Sequence, residues 1–165
     1  MVIDILNIAC NIMVMLLVFQ LTTIMHEVGH AIPAIIFSKD IVNISLGVDR
    51  GNTIKSLVIG KLTISLRTLN PFIGIVTWSD INISKNQKAL ITIGGPILSL
   101  VISIILFALT KKIQSELLKS ILTFSAFCNF IQFIMTIIPI KYPKYYGAYA
   151  GHLSDGSKLI SLLKN

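Results

Sequence analysis

Long apolar runs dominate this chain, and their lengths set the first expectations about its fold. From Ile12 to Ser38 it reads "IMVMLLVFQLTTIMHEVGHAIPAIIFS", more than the ~20 residues a helix needs to cross a bilayer. The residues from Ile5 onward are also mostly apolar. Gly29 and Pro33 interrupt the run, which membrane helices tolerate where neighbours re-satisfy the backbone. Two further stretches are long enough to span: "ALITIGGPILSLVISIILFALT" (89–110) and "LLKSILTFSAFCNFIQFIMTIIP" (117–139). The short charged link "KKIQSE" between them predicts antiparallel neighbours.

Segment 41–83 follows a different rule. "IVNISLGV", "SLVIGKLTISLRTL" and "IGIVTWSDINI" are rich in β-branched residues and are punctuated by "DRGN" and "NP", which are strand and turn signals. "KLTISLR" alternates well; the others are more uniformly apolar. A small, partly membrane-embedded hairpin or sheet is expected there. In the tail, 140–165, Pro143, Gly147 and Gly151 break any helix, and a short amphipathic helix is expected from Asp155 onward.

Composition strengthens this picture. The 165 residues are 54% hydrophobic and 13% charged, with mean hydropathy +0.83, whereas soluble domains carry about a quarter charged residues. The expected fold class is membrane α-helical. One domain over 1–165 would form a three-span core bundle with a small membrane-associated β-hairpin or sheet between spans 1 and 2. No Lys or Arg precedes Asp4 and no A-x-A-like site precedes His26, so the first segment reads as an uncleaved helix rather than a signal peptide.

The formal net charge of +7 raises the question of nucleic acid. The basic residues are scattered between apolar spans, however, with no basic stripe interleaved with aromatics. The expected partner is the lipid bilayer, not nucleic acid. Lys39, Arg50, Lys55, Lys61, Arg67, Lys85 and Lys88 follow the first span, and Lys141, Lys144, Lys158 and Lys164 lie in the tail. Only Lys111, Lys112 and Lys119 fall near the intervening link. By the positive-inside rule 39–88 and the tail are cytoplasmic and the N-terminus external. Cys10 and Cys128 sit in apolar segments and read as buried thiols, neither a disulfide nor a metal pair.

Against this background "HEVGH", His26 to His30, stands out, because ionisable groups at bilayer depth are costly. Residues four apart share one helix face, so both imidazoles can reach one cation, and Glu27 beside them suits a general base toward water. With only three histidines in the chain, an accidental H-E-x-x-H is improbable. Catalytic zinc usually takes a third protein ligand. The extended pattern H-E-x-x-H-x-x-G-x-x-H fails at Pro33 and Ile36, and Glu116 lies in the charged link. That leaves Asp4, Asp40, Asp49, Asp80 and Asp155, with His152 as the remaining histidine. Asp40 is past the end of the helix and is expected near the surface. Asp155 follows the third span on the same side, where the chain can fold back. It is the favoured ligand, with His152 as substitute.

H-E-x-x-H in the first span, Gly94-Gly95-Pro96 in the second and "SDG" after the third together resemble the site-2 protease family of intramembrane zinc metalloproteases. The likeness extends over the whole three-span core, in an S-D-G-bearing branch and without PDZ or CBS domains. It implies Zn2+ held by His26, His30 and Asp155, with Glu27 activating water. It implies a β-rich segment that re-enters the membrane and helps present an extended substrate. The expected partners are single-span membrane proteins or leftover signal peptides, and the expected setting is a multi-pass protein of a bacterial cell membrane. The family's usual Asn-x-x-Pro is absent: Thr136 stands where the asparagine would, and Asn129 lies ten residues before Pro139. The gap from Pro139 to Asp155 is also longer than usual.

Asn129 and Thr136 are therefore the candidates for holding substrate, with Gly95 a third. Each has a plainer reading. The Gly94-Gly95-Pro96 run suits close packing of spans, and Asn129 suits an interhelical hydrogen bond. Trp78 and the tyrosines of "YPKYYGAY" read as an interfacial belt, and His152 as a surface histidine. Thr22, Thr23 and Gln20 are candidates for wetting the approach. Two rival functions are a non-catalytic binding or chaperone-like protein and a His-based metal or haem carrier.

Overall fold

A computed structural model describes residues 2–48, 51–79 and 81–164. Asp49 and Asp80, two of the alternative carboxylates, lie outside the described residues, as do Arg50 and the side chain of Asp4. Among the described residues three helices are long and apolar enough to cross a membrane: α1 (Val2–Phe37), α2 (Lys85–Thr110) and α3 (Glu116–Ile137). A fourth, α4 (Asp155–Lys164), closes the chain.

The helix ends have local causes. α1 starts well before residue 12, because Val2 to Asn11 contains no glycine or proline to stop it. Ser84 opens α2 with a capping box: its hydroxyl accepts from the Gln87 N–H, and the Gln87 side chain accepts from the Ser84 N–H at 2.8 Å. Ser115 caps α3 through the Leu118 N–H. α3 stops at Ile137 because Ile138 precedes Pro139 and takes an extended conformation (φ −63°, ψ 125°).

The bundle is greasy outside and polar inside. Large apolar side chains such as Leu17, Ile104 and Ile131 are exposed, as hydrocarbon-facing surfaces would be. The buried face of α2 is instead Ile91, Thr92, Gly95, Pro96, Ser99 and Ser103. Small residues there let backbones meet. α2 touches each of the other three helices. At its crossing with α1, a Cβ on Gly29 would lie 2.5 Å from the Gly94 carbonyl oxygen.

Segment 41–83 forms a four-stranded sheet in the order β2-β3-β1-β4: β1 (Val42–Leu46), β2 (Lys55–Ile59), β3 (Leu62–Leu66) and β4 (Gly74–Thr77). "SLVIGKLTISL" is the β2–β3 hairpin, turning at Gly60 (φ 58°). β1 pairs parallel with β3 and antiparallel with β4. β1 buries Val42, Ile44 and Leu46 against Ala31, Ala34, Ile83 and Ile91, which ties the sheet to α1 and α2. β2 is exposed at every residue. Cys10 is exposed on α1, contrary to the expected buried thiol, because that end of α1 has little packed against it; Cys128 is buried, and both thiols are free.

Candidate metal centre

α1 places Thr22, Thr23, His26, Glu27 and His30 on one face, all buried. The spacing follows the helical repeat, so the five side chains form a single stripe. Asp155 reaches the same point from the first turn of α4. The His26 and His30 Nε2 atoms are 3.2 Å apart, and Asp155 Oδ2 lies 3.3 Å from the first and 3.2 Å from the second.

Those distances suit a cation at the centre. With metal–ligand bonds of about 2.0–2.1 Å, tetrahedral geometry places ligand atoms about 3.3–3.4 Å apart. Tautomer chemistry agrees. The His30 Nδ1–H donates to the Ile91 carbonyl at 2.8 Å, so in the neutral ring Nε2 carries a lone pair, aimed at a carboxylate oxygen that also has only lone pairs to offer. A positive charge between them resolves the conflict. This buried group could hold a metal ion.

The outer supports are equally specific. His26 Nδ1 lies 3.0 Å from Ser99 Oγ on α2. Such partners fix ring orientation at metal sites. Lys158 Nζ donates to Asp155 Oδ1 at 3.0 Å, leaving Oδ2 for the rings. Burial pushes the Asp155 carboxyl up, but with the rings protonated their hydrogen bonds and the His30 charge, together with the Lys158 ammonium, outweigh it. The net result is a carboxyl held well below the usual range, hence an anion ready to bind a cation.

Ser154 fixes where that anion arrives. Its hydroxyl donates to the Ile138 carbonyl at 2.7 Å and accepts from the Ile140 N–H at 3.1 Å and the Ser157 N–H at 3.2 Å. One buried side chain thus starts α4 and fastens it to the end of α3. Gly95 has a different task. A Cβ there would lie 2.6 Å from His30 Cδ2 and 2.7 Å from Cε1, so the glycine makes room for the imidazole.

A cavity of about 1070 Å³ opens onto the cluster, and His26, Glu27, His30 and Asp155 form part of its wall. Thr22, Thr23, Thr136, Trp78 and His152 line it as well, while Gln20, Asn129 and Gly95 do not. The Thr136 hydroxyl donates back to the Gln132 carbonyl at 2.8 Å, within its own helix. The Asn129 amide donates to Thr22 Oγ1 at 3.3 Å and to the Ser125 carbonyl at 2.8 Å, joining α3 to α1. His152 is exposed, and its ring lies outside the ligand group.

Three participants escaped the sequence reading. Ser99 in an apolar helix resembles any small packing residue. Gly74 opens β4 against the general-base candidate: a Cβ on it would lie 2.6 Å from Glu27 Cγ. Tyr149, in the 3-10 turn Lys144–Tyr149, hydrogen-bonds the Gly74 backbone across the cavity mouth. The tail tyrosines pack on one another, with the Tyr142 ring 5.2 Å from Tyr146 and 5.7 Å from Tyr149. Burial, and then the negative charges of Asp155 and Tyr146, push the Tyr142 phenol up to about 12, so it stays neutral at ordinary pH. No protein-family profile matches this chain, and no curated protein matches it either.

Proposed function

We propose that this protein is a zinc-dependent intramembrane endopeptidase of the site-2 protease type. It would hydrolyse peptide bonds in or near the membrane-spanning segments of single-span proteins or signal peptides. The observation that carries the reading is the triangle of His26 Nε2, His30 Nε2 and Asp155 Oδ2, with edges of 3.2–3.3 Å, sharing one buried cavity with Glu27.

Two imidazoles, one carboxylate and an open fourth position are the ligand set of catalytic zinc. Bound there, zinc would polarise the scissile carbonyl and bring the pKa of water toward about 7. Glu27 takes the proton released by the attacking water and delivers it to the leaving amine, a role worth about 10²–10⁴-fold in rate. His30, fixed by Ile91, and His26, fixed by Ser99, hold their Nε2 lone pairs on the site. The cavity, about 1070 Å³, lies just above the roughly 300–1,000 Å³ typical of small-molecule sites, which suits a length of unwound polypeptide. The outer edge of β4 beside Glu27, which pairs with no strand among the described residues, would offer such a segment backbone hydrogen bonds.

With three spans, 39–88 and the tail would lie on one side, and their positive charge argues for a cytoplasmic side there, with the N-terminus outside a bacterial cell membrane. A haem carrier fits less well, because Nε2 atoms 3.2 Å apart leave no space for a macrocycle between the rings.

The test compares wild type, Glu27→Gln and Asp155→Ala in nanodiscs, against single-span model substrates carrying helix-breaking residues. Glu27→Gln should lose cleavage by about 10²–10⁴-fold while its zinc content, read by mass spectrometry, is unchanged. Asp155→Ala should lose both. Cleavage that survives Glu27→Gln, or wild type that takes up no zinc, ends the hydrolase reading.

A further inference from the structure

The excursion between α3 and α4 does something at the cavity mouth that peptide hydrolysis does not need. The Tyr149 hydroxyl accepts from the Gly74 N–H at 2.9 Å and donates to the Gly74 carbonyl at 2.8 Å. Gly74 opposes Leu46 in the antiparallel β1–β4 ladder. In the next pair, the Gly47 N–H donates to the Ile73 carbonyl at 2.7 Å. Hydrogen-bonded and non-hydrogen-bonded pairs alternate in such ladders. Ile73, Ile75 and Thr77 therefore bond toward β1, while Gly74 and Val76 turn their N–H and C=O outward. Among the described residues no strand lies on that outer edge.

An antiparallel partner residue would exchange two bonds with Gly74, one from its N–H and one to its C=O. The phenol makes both with one atom. It does so at an edge residue that packs against Glu27, since a Cβ on Gly74 would lie 2.9 Å from Glu27 Oε1. Glycines near Tyr149, Gly147 (φ 59°) and Gly151 (φ 80°), let the chain turn sharply on either side of it.

We propose that Tyr149 is an internal placeholder for one residue of an extended polypeptide, and that its hydroxyl must leave Gly74 before such a polypeptide can lie along β4. The inference rests on the reading of the site as one that takes a peptide strand. It makes the tail loop a latch in competition with substrate: the free enzyme is closed at this edge, and incoming backbone opens it.

The measurement uses the full chain in nanodiscs, wild type against Tyr149→Phe, which keeps the ring and removes the hydroxyl. Tyr146→Phe is the control. Amide exchange followed by NMR should show the Gly74 N–H exchanging about tenfold faster in Tyr149→Phe, the loss of roughly one net hydrogen bond. Ile75 and Thr77 should be unchanged. A dansyl-labelled ten-residue peptide of alternating Val and Thr should bind about tenfold tighter to Tyr149→Phe and equally to wild type and the control. Unchanged Gly74 exchange, unchanged peptide affinity, or faster exchange throughout β1 and β4 each overturns the latch; the last would make Tyr149 a structural prop. If Tyr149→Phe binds peptide more tightly yet no variant cleaves any substrate, the latch stands and the hydrolase falls. If wild type cleaves but neither exchange nor affinity moves, the reverse holds.

Discussion

α1 and α2 face each other with stripes of the same spacing and opposite content. On α1 the stripe is Thr22, Thr23, His26, Glu27 and His30; on α2 it is Ile91, Thr92, Gly95, Pro96 and Ser99. The first stripe supplies donor atoms. The second supplies space and direction: a missing side chain at Gly95, a carbonyl at Ile91 and a hydroxyl at Ser99. A ligand helix alone would present two mobile imidazoles; the facing helix turns them into a fixed pair. Metal sites depend on such outer partners nearly as much as on the ligands themselves.

If the comparison is right, substitutions on the ligand-free helix should damage metal binding in a graded way. Gly95→Ala should do most, because the new methyl falls on the His30 ring. Overpacking of this kind costs about 1–3 kcal/mol, and zinc affinity measured by competition with a chelator should drop by about 10–100-fold. Ser99→Ala should come next, with roughly tenfold weaker affinity, because His26 keeps its place on α1 but loses the partner of Nδ1. Ser103→Ala should do least. Its hydroxyl donates to the Ala126 carbonyl on α3 at 2.9 Å rather than to a ligand, so stability should fall by about 0.6 kcal/mol with affinity unchanged. An equal loss from all three would show that α2 acts only as packing.

The same contrast explains what was legible in the sequence. H-E-x-x-H is a local pattern, and helix geometry alone puts both rings on one face. The three apolar spans declare themselves by length, and the β-branched run of 41–83 by composition. Asp155 could be reached by elimination, since so few carboxylates remain. Ser99 could not, because its meaning depends on a ring 73 positions away, and a serine among leucines and isoleucines looks like filler. The parallel pairing of β1 with β3 was equally hidden. β1 packs on α1, and no residue within either strand announces which side of it the hairpin joins. Tyr149 read as a membrane-interface aromatic, because its partner is the backbone of a glycine 75 residues earlier. Asn129, which suits a substrate contact or an interhelical hydrogen bond, donates from its amide nitrogen to Thr22 and Ser125.

Ser154 carries a last consequence. By gripping Ile138 and Ile140 at one end and Ser157 at the other, it returns the polypeptide to its point of departure before the ligand is delivered. The carboxylate's address is then independent of the detour taken to reach it. The detour's length becomes a free variable in such a chain, open to insertion or trimming and to acquiring duties of its own, while the triangle of His26, His30 and Asp155 stays where it is.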